Sequence, residues 1–78
     1  MHGYILVRTI LGKAIDVLEE IQKVKGVTCA CAVTGAYDVI ATYEVKNLTD
    51  VGDVVVKGIQ DIIGVYTTQT TVCVSCKS

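Results

Sequence analysis

The stretch Val33–Ala41, "VTGAYDVIA", joins two apolar runs through Thr34-Gly35. Val27–Thr34, "VTCACAVT", reads as one strand and Tyr37–Val45, "YDVIATYEV", as the next. A glycine between two such runs supplies the backbone freedom of a tight turn, so the pair reads as an antiparallel hairpin. Tyr37 and Asp38 follow the turn directly, in a chain with four Tyr, no Phe and no Trp. Such a pair is either part of an ordinary turn or a ligand site, and the rest of the chain bears on the choice.

Upstream, Gly3–Thr9, "GYILVRT", is rich in strand formers. Leu11-Gly12 breaks it. From Lys13 the apolar residues fall at helical spacing: Ala14, Val17, Leu18, Ile21 and Val24. Asp16, Glu19, Glu20 and Lys23 fill the opposite face, and Gly26 stops the helix. Downstream, Asn47 can cap a second helix with an apolar face of Leu48, Val51, Val55, Ile59 and Ile62. Gly52, Gly58 and the Val54–Val56 triplet are poor helix formers, but the spacing favours a helix ending at Gly64. Val65–Val74, "VYTTQTTVCV", reads as a fourth strand.

The chain also repeats. "GYILVRT" echoes "AYDVIAT", and "VKGVTCACAVT" echoes "IIGVYTTQTTV". Each half is strand, helix, Gly-Val, strand. Two such units give an α+β fold of the ferredoxin-like β-α-β-β-α-β kind, a single domain over residues 1–78. It has a four-stranded antiparallel sheet, strand order 4-1-3-2, with two helices on one face. The strands are apolar on both sides of the pleat, where a water-facing side would be polar. With no third helix to cover it, a second copy is the simplest lid, and a sheet-on-sheet homodimer is expected.

Composition excludes several classes. Half the residues are apolar (51%), too many for a chain of 78 to bury alone. The net charge is −1 with the basic residues scattered, which argues against direct nucleic-acid binding. No apolar run approaches the ~18 residues of a membrane span, and no signal peptide is evident, so a cytoplasmic protein is expected. No cofactor is expected.

Four cysteines stand at 29, 31, 73 and 76. Strands two and four are opposite edges of the expected sheet, about 14 Å apart at ~4.8 Å per strand. One metal ion cannot join the two pairs within a subunit, and no metal site is expected. Cys29 and Cys31 read as small buried hydrophobes. Cys73 and Cys76 form a C-x-x-C near an end expected to fray. Arg8 either pairs with Glu44 or Asp38 or extends to water.

The whole chain resembles the effector-binding domain, or RAM domain, of Lrp/AsnC-type transcriptional regulators. The resemblance rests on "VTGAYDVIA", on Gly26-Val27 and Gly64-Val65 after the helices, and on "TTQT" in the last strand. Leu11-Gly12 stands where that family usually has Pro-Gly. The first strand starts by about Gly3, so the chain resembles the stand-alone form that lacks a helix-turn-helix. The resemblance implies a non-enzymatic regulatory module, a homodimer assembling to an octamer, and an amino acid or similar small effector bound between dimers. The partner stays open: a stand-alone module regulates by docking onto another protein, such as a DNA-binding Lrp/AsnC relative, or acts as a sink for effector. The matching positions are Thr34, Gly35, Tyr37, Asp38, Thr68 and Thr70. Their chemistry suits a zwitterion: open backbone N–H groups at Gly35 for a carboxylate, Asp38 for an ammonium, two threonine hydroxyls and a tyrosine wall.

Two other classes stay open on the residues. One is a small dimeric ferredoxin-like enzyme, although the chain lacks a catalytic His pairing or paired carboxylates. The other is a metal or redox protein using Cys73 and Cys76.

Overall fold

Strand β1 (His2–Thr9) is the centre on which the rest assembles. It pairs antiparallel with β3 (Val39–Glu44) on one side and β4 (Val65–Thr70) on the other. Strand β2 (Val27–Ala32) adds to the free edge of β3, giving the order β2-β3-β1-β4. The computed structural model describes residues 1–77. Helix α1 (Ala14–Ile21) connects β1 to β2. The second connection is α2 (Leu48–Gly52) running into a π-helical segment (Asp53–Ile59). This is the ferredoxin-like split β-α-β fold implied by the internal repeat.

The core lies between the sheet and the helices. Ile5 and Val7 of β1 alternate inward, as do Val39, Ala41 and Tyr43 of β3. Val17 and Ile21 of α1 meet them, with Val51, Val54, Val55 and Ile59 from the second helical stretch. Each fully buried Val or Ile side chain contributes about 1.5–3 kcal/mol by leaving water. No residue in this layer is charged.

Both edge strands carry an extra residue at the same place. On β2, Val27 faces Tyr43 and Cys29 faces Thr42, so Thr28 is the insertion. On β4, Val65 faces Thr9 and Thr67 faces Arg8, so Tyr66 is the insertion. A bulge shifts the alternation by one. Val27 and Val65 still pack on the core, but after the bulges Ala30, Thr68 and Thr70 take the helix side. Cys29 and Cys31 are thereby turned to the open face and are exposed. The expectation that they are buried small hydrophobes is corrected: regular alternation from Val27 would have buried them, and the bulge at Thr28 reverses it.

The second helical stretch starts as the sequence implies. Asn47 is extended, and its Oδ1 accepts the Asp50 amide at 3.0 Å. Its interior differs. From Asp53 the turns widen, and the Gln60 amide reaches back five residues to the Val55 carbonyl at 2.8 Å. The wider turn brings Val54 and Val55 inward together, whereas Leu48, expected on the apolar face, is 64% exposed. Gly58 permits close packing here, since a Cβ would lie 2.5 Å from a Val24 methyl.

The C-terminal stretch does not fray at Cys73 as expected. The Thr71 amide donates to Tyr4 O at 2.8 Å and the Cys73 amide to His2 O at 2.8 Å. Tyr43 locks this segment from inside, its phenol donating to the Thr71 carbonyl at 2.6 Å. Gly3 makes room, because a Cβ there would collide with that carbonyl. Burial raises the Tyr43 pKa above its ordinary 10.0, and the charge on Cys73 adds to the effect. The fold favours the neutral phenol, so this stabilisation is full below pH ~10 and fades as pH rises through the raised value. Tyr43→Phe should lower stability by about 1 kcal/mol at neutral pH in urea unfolding. The variant should also lose less stability than the native chain between pH 9 and 11 (a range of about two units around the phenol's ordinary value).

Candidate functional site

The hairpin turn between β2 and β3 sits at the end of the sheet where β1 finishes. Its geometry follows from two backbone bonds. The Val33 amide donates to Asp38 O at 2.9 Å, and the Asp38 amide donates to Val7 O at 2.9 Å. Gly35 takes φ +127°, a region costly to residues with a side chain. Thr34, Gly35 and Ala36 are exposed.

Asp38 is half-buried behind the turn. Its Oδ2 accepts two bonds from Thr9, the backbone amide at 2.8 Å and the hydroxyl at 3.2 Å. Oδ1 accepts none among the described residues. The ion pairs among those residues are Lys13–Asp16, Lys23–Glu20 and Lys57–Asp53, all between exposed near neighbours in sequence. Arg8 therefore does not pair with Asp38 or Glu44. It is exposed, and register places Glu44 opposite His2, at the far end of β1. Asp38 is left as a carboxylate with one engaged oxygen and no cation beside it.

Tyr37 is half-buried, and its hydroxyl donates to Gln69 Oε1 at 2.5 Å. Gln69 lies opposite Leu6 on the open face of the sheet. Its neighbours Thr68 and Thr70 lie opposite Val7 and Ile5, on the helix side. Thr68 Oγ1 accepts from Gln60 Nε2 at 3.1 Å. Thus Thr34, Gly35, Tyr37 and Asp38 are brought together, while Thr68 and Thr70 share one side of β4 but face the other layer. Sequence reasoning missed Gln69 and Thr9. Alternation alone sends Gln69 opposite to its two threonines, whereas nothing local marks Thr9 as a partner for a residue 29 positions away.

Two open concavities lie on the helix side. One, about 660 Å³, is lined by Lys13, Glu20, Lys23, Asp61 and Ile63 among others. The other, about 800 Å³, includes Lys25, Glu44, Lys46, Asp50 and Lys57. Both mix the two charge signs, and neither reaches the Thr34–Asp38 turn. Among the described residues no group of three or more His, Cys, Asp and Glu is placed to hold a metal ion. No helix among them is long and apolar enough to cross a membrane.

The chain is thus a split β-α-β sheet with an exposed glycine turn and a half-buried carboxylate behind it. The chain belongs to the Lrp/AsnC ligand binding domain family, whose sequence profile matches residues 3–76. Among solved structures it is similar to TTHA0845 of Thermus thermophilus, with TM-score 0.93 and 27% identity over 99% of this chain and 96% of that one. AsnC of E. coli shares the fold at TM-score 0.89 and 18% identity, over 96% of this chain and 51% of that one. The transcriptional regulator NMB0573 of Neisseria meningitidis, solved as a complex with L-Met, shares it at TM-score 0.78 and 21% identity, over 99% and 52%. The chain thus spans about half the length of these two regulators. No sequence among curated proteins matches it.

The turn's dependence on Gly35 is directly testable. A Cβ at this position would meet nothing within 4 Å, so the cost of Gly35→Ala is conformational alone. We expect a loss of about 1–3 kcal/mol in denaturant unfolding, with the fold retained by circular dichroism. An unchanged midpoint would mean that the turn relaxes to another conformation.

Proposed function

We propose that this chain is a regulatory module that binds an amino acid or similar small effector at the Thr34–Asp38 turn. The observation that carries the reading is the half-buried Asp38 carboxylate, with one oxygen unengaged and no cation beside it, behind an exposed glycine turn. Gly35 presents backbone amides to the effector carboxylate, Asp38 takes its ammonium, and Tyr37 walls the site. Membership of a ligand binding domain family supports this, as does the L-Met complex of the Neisseria regulator. The reading contains no catalytic step.

Thr68 and Thr70 complete the site by contact between copies, since within one chain they face the helix layer. Self-association follows from the open face of the sheet. Leu6 and Ile40 are only half-buried there, Tyr4 is 54% exposed, and Cys29 and Cys31 are exposed. Stacking two such faces makes a homodimer, and dimers assemble further, to an octamer, with effectors between them. The module acts in the cytoplasm, by docking on a DNA-binding relative.

Two measurements test this. In a thermal-shift screen against the twenty amino acids, a subset should raise the midpoint. Ligand at a hundred times its Kd stabilises by about 2.7 kcal/mol. No shift with any of the twenty at tens of millimolar, about ten times a weak ~1 mM Kd, would overturn the effector reading. By light scattering, Leu6→Asp should turn an assembly into a folded monomer. An unchanged mass would remove the open face as the dimer surface.

A further inference from the structure

The β1–β3 ladder ends at the Val7–Val39 pair. Beyond it the backbone amide of Thr9 has no strand acceptor on that side, and a half-buried amide without a partner is costly. The Asp38 side chain supplies the acceptor, and the Thr9 hydroxyl binds the same oxygen. The next residue is held as well, by the Ile10 amide donating to Gly64 O at 2.7 Å. Thr9 and Ile10 thus fasten the start of the β1–α1 loop to the hairpin turn on one side and to the loop before β4 on the other.

We propose that Thr9 is a positioning residue for the effector site. It holds Asp38 by Oδ2 and leaves Oδ1 as the one oxygen offered to an ammonium group. This deepens the effector reading and rests on it. Two bonds to one oxygen fix both the carboxylate plane and its rotamer. A fixed acceptor need not lose torsional freedom when the ligand binds. A single ionic oxygen also sets a ligand class. It selects effectors with a protonated amine, and an α-hydroxy acid of the same side chain binds poorly. No side chain of the described residues neutralises Asp38, so the ligand supplies the positive charge.

Four variants and two readouts test the proposal. The probe is the amino acid giving the largest thermal shift with the native chain, titrated by calorimetry. The second readout is hydrogen exchange of the Thr9 amide by NMR, which needs no ligand. Thr9→Val keeps the amide and the shape but removes the hydroxyl, and should weaken binding about 3- to 10-fold. Thr9→Ser restores the hydroxyl and should return affinity to within about twofold, since the hydrogen bond is regained. Asp38→Asn can still accept from Thr9 through its carbonyl but turns an amide donor outward. It should keep the Thr9 amide protected yet lose more than about tenfold in affinity, through loss of the charge-assisted bond. Asp38→Ala should lose both protection and binding. Native affinity in Thr9→Val would overturn the positioning role alone, whereas full affinity in Asp38→Asn would overturn Asp38 as the partner of the ammonium group. A native chain that binds no amino acid would overturn the effector reading as well. Thr9 protection would then identify the contact as part of the fold only.

Discussion

Two extra residues, Thr28 and Tyr66, decide which side chains of the edge strands reach the core. Each follows a Gly-Val pair, Gly26-Val27 and Gly64-Val65, and both glycines take positive φ. The internal repeat therefore extends to the bulges themselves. Valine anchors the start of each edge strand on the core, and the bulge then reverses the alternation. On β4 this puts Thr68 and Thr70 against the helix layer and Gln69 on the open face. On β2 it puts Cys29 and Cys31 outside and Ala30 inside. Deleting either insertion would exchange the two faces of its strand.

The consequence is a sheet with one finished face and one unfinished face. The helix side carries all the fully buried aliphatic side chains, and it needs no charged group. The open side presents Tyr4, Leu6, Ile40 and two thiols. The hairpin turn and the Tyr37–Gln69 bond lie at one end of the sheet. That end combines a turn that depends on glycine, a carboxylate without an ion-pair partner among the described residues and an apolar sheet margin. The helix-side concavities differ from this end in mixing acidic and basic side chains.

Much of this was legible in the sequence because it is local. Helical spacing from Ala14, the Asn47 cap and the two Gly-Val strand starts fix the order of elements, although the helices end at Ile21 and Ile59, before the glycines expected to stop them. The repeat then fixes the strand order. What was not legible depends on register or on contacts far apart in the chain. A bulge inserts a single residue without a distinctive side chain, so the outward cysteines read as inward ones. The widened turns from Asp53 follow from packing of Val54 and Val55, not from propensity. In the site, Gly35 and Asp38 announce themselves as a turn and a charge. The partner of Asp38 does not, because the bond is to the end of a strand 29 residues earlier.

The most direct single measurement is an amide chemical-shift titration of the native chain with the amino acid that stabilises it most. We expect the largest changes at Thr34–Asp38 and at Thr9, with the helix-side residues Lys13–Lys23 and Lys46–Lys57 little moved. Changes centred on those helix-side residues instead, with the turn silent, would contradict the assignment of the effector site.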